Sequence, residues 1–156
     1  CTALASTRVA LYQQQKNQRH LDAAIDAALV GLATSPDDRG LLMVYGRASA
    51  MSGRYRDAFE AFHAAWNLDR TAPHTLELAV KAADQADLWE DAIELSKTLY
   101  ASNADHPLAG PGYALGLIRI GEYEQAKQIL ANLDRRRVRG SLLRQAHTEV
   151  APHVAP

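Results

Sequence analysis

Gly53-Arg54-Tyr55-Arg56-Asp57-Ala58 returns 34 residues later as Asp87-Leu88-Trp89-Glu90-Asp91-Ala92, and again as Gly121-Glu122-Tyr123-Glu124-Gln125-Ala126. One period earlier the chain reads Arg19-His20-Leu21-Asp22-Ala23-Ala24. An alanine thus recurs every 34 residues, at Ala24, Ala58, Ala92 and Ala126, each three places after a bulky residue. A fixed period of this length means one helical hairpin used four times. Stacked hairpins present extended surface in place of a closed pocket, so the default function is binding.

Aligned on the alanines, the chain divides without gaps into 5–38, 39–72, 73–106 and 107–140, after a lead at 1–4. The second segment is the clearest. Leu42, Tyr45, Ala48 and Met51 recur on one helix face, Gly53 supplies a break, and Tyr55, Ala58, Phe59, Phe62, Ala65 and Trp66 line a second helix over Tyr55–Leu68. The third segment has Asp87 at the turn and the first has Arg19. In the fourth, Pro107, Gly110, Pro111 and Gly112 crowd the start, so its first helix is expected from about Pro111 to Ile120, with proline in the opening turn. Ser141 is placed to cap a further helix within 141–150, which would cover the last hairpin. The tail 151–156, with two prolines, is expected to fray.

Gly46, Gly53, Tyr55, Ala58, Phe62 and Ala65, with Gly121, Tyr123 and Ala126 and with Leu11, Leu21, Ala24 and Pro36, carry a resemblance to the tetratricopeptide repeat family over residues 5–140. The resemblance implies an all-α chain: a right-handed superhelical solenoid of four antiparallel hairpins with a C-terminal capping helix. It also implies a groove lined by the first helix of each hairpin. By the repeat phase that lining is Val9, Gln13, Lys16, Asn17, Met43, Arg47, Met51, His74, Glu77, Lys81, Asp84, Leu108, Leu115, Ile118 and Arg119. Members of the chaperone-adaptor kind clasp a carboxylate with basic and amide side chains. Here those places read Val9, Gln13, Val44, His74 and Leu78, so that clasp is absent.

Seventeen basic and eighteen acidic residues leave a formal charge of −1, which gives no global pull toward nucleic acid. No apolar run approaches a transmembrane length. Six scattered histidines show no metal-ligand spacing, no strand precedes a phosphate-cradling glycine loop, and the serines lack a nucleophile context. The expectation is a protein without catalytic residues, metal or cofactor. Arg135, Arg136, Arg137, Arg139 and Arg144 form the one local charge feature. It reads either as a docking point for anionic groups or, preferably, as a solvated helix end complementing the macrodipole.

The single cysteine, Cys1, resembles the first residue of mature bacterial lipoproteins, with Thr2 compatible with outer-membrane sorting. The other reading is a domain that happens to start there. Two functions follow. One is a lipid-anchored scaffold on the periplasmic face of the outer membrane, resembling pilotins and tight-adherence pilus lipoproteins and serving pilus, secretion or outer-membrane assembly. The alternative is a soluble, cytoplasmic peptide-binding adaptor, or a regulatory or oligomerising part of a longer protein. Self-association is expected if the capping helix leaves Leu108, Leu115 and Ile118 open.

Overall fold

The computed structural model describes residues 2–153, with side chains at residue 15 and from residue 17 onward. Cys1 therefore lies outside the described residues, and so do the side chains of Val9, Gln13 and Lys16. Regular structure among the described residues is helical: α1 (Thr2–Thr34), α2 (Arg39–Met51), α3 (Tyr55–Leu68), α4 (Pro73–Gln85), α5 (Trp89–Ser102), α6 (Ala109–Arg119), α7 (Tyr123–Arg135) and α8 (Ser141–Val150), then a 3-10 turn at Ala151–His153. None of these helices is long and apolar enough to cross a membrane. The chain divides after Asp69 into two compact units.

The turns explain the hairpins. Gly53, Asp87 and Gly121, 34 residues apart, have φ of +76°, +57° and +85°. At each, the next residue's N–H reaches back five places: Arg54 to the Ser49 carbonyl at 2.8 Å, Leu88 to Ala83 at 2.9 Å, Glu122 to Leu117 at 2.8 Å. This closure satisfies carbonyls that a helix end leaves free, and it needs a left-handed residue that glycine supplies without strain. Aspartate tolerates the conformation better than most residues. A fourth copy ends α7, where Arg137 has φ +59° and Val138 N–H meets the Leu133 carbonyl at 3.1 Å.

The first segment departs from the expected hairpin. Arg19 stands at the turn position yet is helical, and α1 runs unbroken for 33 residues. A left-handed conformation would cost arginine about 1–2 kcal/mol. Folding back would also bury the wrong side chains. Ala48 and Ser49, and likewise Ala82 and Ala83, are buried first-helix residues. The aligned residues in segment one are Gln14 and Gln15. Burying an amide without partners is costly, so the straight helix wins.

In the first unit, α1 lies along α2 from Gln18, whose amide is 3.5 Å from Ser52 Oγ, to Gly31, where a Cβ would lie 2.6 Å from Leu41. The α2–α3 hairpin closes over Gly46: a Cβ there would lie 2.6 Å from the Phe62 ring. Ala58, Phe62 and Ala65 are buried on the facing stripe, as their spacing requires.

In the second unit, α6 packs between α5, α7 and α8. Gly110 admits Leu133 and Gly116 admits Ile93, each where a side chain would clash. The helix begins at Ala109, two residues before the expected start, with Pro111 still inside the first turn, where its missing N–H costs nothing. Ser141 is the first residue of α8; its predecessor Gly140 occupies the cap position, so the expected serine cap is not formed. Leu143, Ala146 and Val150 of α8 share a core with Leu115 and Ile118. Leu115 and Ile118 are thus buried, while Leu108 is half-buried and lies outside this core. Ala151–His153 form a 3-10 turn, and the His153 ring stacks on Tyr123 at 4.1 Å and 8°.

Candidate functional site

A cleft open to solvent lies in the second unit, with a volume of about 60 Å³. Val80, Lys81 and Asp84 come from α4; Trp89, Ala92 and Ser96 from α5; Gly112, Leu115, Gly116 and Arg119 from α6, with Leu108 before it and Leu142 from α8. Ala92, Ser96, Gly112 and Gly116 are its small lining residues. Ser96 is 1% exposed.

Charged side chains at the mouth are held in pairs. Arg119 Nη1 donates to Asp84 Oδ1 at 2.6 Å, and the same guanidinium lies 4.1 Å above the Trp89 ring. A cation over an indole face is attracted by its quadrupole, so one side chain links α4, α5 and α6. One turn along α4, Lys81 Nζ donates to Glu77 Oε1 at 2.7 Å. That hydrogen bond pulls the Glu77 carboxyl below its ordinary range, against the upward push of burial. His74 and His106 each stand 3.7 Å from Glu77 Oε2. The Leu108 N–H donates to His106 Nδ1 at 3.3 Å, which ties the loop before α6 to this cluster.

Of the expected groove residues, Glu77, Lys81, Asp84, Leu115 and Arg119 come together here, with His74 exposed at the edge. Ile118 is a correction: it is 7% exposed and belongs to the core shared by α6, α7 and α8. Met43 and Arg47 lie on α2 in the other unit, half-buried and exposed, and Met51 is exposed at that helix's end. The five arginines serve separate ends. Arg136 Nε meets Asp105 Oδ1 at 2.7 Å, which lowers the Asp105 carboxyl and raises the arginine. Arg135 donates to the Ala131 carbonyl at 3.3 Å, and Arg137 forms the left-handed turn. Arg139 and Arg144 are exposed. No group of three or more metal-ligating side chains occurs among the described residues.

Sequence reasoning missed Val80, Trp89, Ser96, Gly112, Gly116 and Leu142 as cleft residues. Trp89 was readable only as a repeat filler. Gly112 and Gly116, four apart on one helix face, carried a signal for close helix approach.

No protein-family model matches the sequence, and no curated protein matches it either. Solved structures do. A tetratricopeptide repeat protein from Parabacteroides merdae aligns at a TM-score of 0.68 and 19% identity over 83% of this chain. The chain spans about half of that protein, 52% of its length. MamA aligns at 0.63 and 17% identity, covering 92% of this chain and 93% of MamA. YrrB, described as a tetratricopeptide repeat protein with an unusual peptide-binding site, aligns at 0.61 and 10% identity over 86% of this chain and 78% of its own. Agreement at these scores, with helices that repeat on a 34-residue lattice, gives this chain the tetratricopeptide repeat fold.

Proposed function

We propose that the protein is a non-catalytic protein-interaction scaffold whose second unit receives a partner's segment on the face shared by α4 and α6. The observation that carries this reading is the cleft, where apolar walls meet a rim of paired charges. Those are the components of recognition: area to bury and fixed charges to orient what is buried. The peptide-binding site named for YrrB supports the same reading by likeness of fold. A photo-crosslinking residue at Lys81, on the cleft rim, is expected to capture a defined protein in cells, while one at Lys97, exposed on α5, does not. Equal labelling at both positions, or none at either, overturns the proposal.

The cellular setting rests on Cys1. A lipid-anchored scaffold for pilus, secretion or outer-membrane assembly requires that residue to be the acylated N-terminus of the native protein. Mass spectrometry of the native protein tests this directly. An unmodified chain that begins upstream of Cys1 removes the envelope reading and leaves the scaffold reading intact.

A further inference from the structure

Building on the scaffold reading, we infer that the cleft selects an uncharged apolar side chain, of leucine, methionine or phenylalanine size, presented by a partner's segment, and that Arg119 sets this selection. Val80, Leu108, Leu115 and Leu142 offer the incoming group only hydrocarbon, and Gly112 lines the cleft without a side chain that would fill it. The charges at the mouth cancel internally: Arg119 with Asp84 at 2.6 Å, Lys81 with Glu77 at 2.7 Å. A charged anchor would lose its water among apolar walls and would have to break a pair whose members are already held side by side. An uncharged anchor does neither. Charge complementarity therefore favours a neutral occupant, flanked by residues that can meet Lys81 and Asp84, which are both about half exposed at 51% and 52%.

The same geometry predicts what happens when the gate is removed. Arg119 fills, from within the chain, a site made of an indole face and a carboxylate. Without it, Trp89 and Asp84 remain as a receptor for a cation. Arg119→Ala should thus change the preference of the cleft, an effect that a merely structural brace would not produce.

The test uses the full chain, labelled with ¹⁵N, and the Trp89 indole N–H signal. The probes are blocked pentapeptides Ala-Ala-X-Ala-Ala with X as leucine, phenylalanine, lysine or aspartate. The leucine and phenylalanine peptides are expected to shift the signal saturably, with Kd at least tenfold below those of the charged peptides. In Arg119→Ala the lysine peptide should gain at least tenfold relative to leucine. Gly112→Leu should abolish all binding. A Cβ at Gly112 meets only Ser96 Oγ, at 3.3 Å, and Ser96→Ala in the same chain relieves that contact if folding suffers. Equal binding of all four peptides, no binding of any, or an unchanged preference in Arg119→Ala overturns the inference. If crosslinking at Lys81 succeeds while the peptides show no preference, this inference fails and the scaffold reading stands.

Discussion

Segments 5–38 and 39–72 share the alanine lattice and the bulky residue before it, yet one is a straight helix and the other a hairpin. In both, the second half of the segment forms a helix where the lattice puts it: the end of α1 and the whole of α3. The difference lies in the first half and at the turn. Gly53 closes a left-handed turn, and Leu42, Gly46, Ala48 and Ser49 give α3 a face to cover. Arg19 and the run Gln13-Gln14-Gln15-Lys16-Asn17-Gln18 supply neither. A repeat period thus marks equivalent positions, and the hairpin itself depends on two local conditions that the period does not guarantee.

The largest effect should separate the two alanines. Ala58 is fully buried between α2 and α3, so Ala58→Leu should overpack the hairpin and cost about 1–3 kcal/mol in urea unfolding. Ala24 is only half-buried, and Ala24→Leu should stay within about 0.5 kcal/mol. Equal losses would mean that segment one is packed as a hairpin after all.

Turn residues give a smaller and sharper contrast. Gly121→Val places a β-branched residue at φ +85° and should lower stability by about 1–2 kcal/mol, seen as an earlier thermal midpoint. Arg19→Gly should weaken α1 by about 1 kcal/mol, seen as faster amide exchange around the substitution. It should not create a hairpin, because Gln14 and Gln15 would still have to be buried. A folded-back first segment in that variant would show that the turn residue alone decides.

The smallest effect is a pH dependence confined to the second unit. Glu77 has a depressed folded pKa, chiefly through the hydrogen bond from Lys81. Its contribution is therefore present above the ordinary glutamate range and is lost as pH falls through the depressed value. Glu77→Gln should flatten the stability profile on that acid limb and leave neutral pH nearly unchanged, in melts taken across pH. An acid limb that persists unaltered would assign the dependence to other carboxylates.

Much of the fold was legible because periodicity reports burial. Phe59, Phe62, Ala65 and Trp66 read as one stripe in the sequence and are buried together. The cleft was legible only on its α4 and α6 sides, where the repeat phase pointed to Lys81, Asp84, Leu115 and Arg119. Trp89 and Leu142 reach it from α5 and α8, and no spacing within one helix reports a neighbour brought close by another. Ile118 failed for the same reason, since whether it joins the core is a matter of how the helices pack.

The sequence by itself determined the helices from α2 onward, their 34-residue lattice and the turns at Gly53, Asp87 and Gly121, because these follow from side-chain period and backbone freedom within a few residues. Only the tertiary structure decided that Arg119 would rest on Trp89 and Asp84, that Ile118 would join the core shared by α6, α7 and α8, and that residues of α4, α5, α6 and α8 would line one cleft. Those outcomes depend on how closely helices approach, which the sum of many contacts sets and no local pattern records.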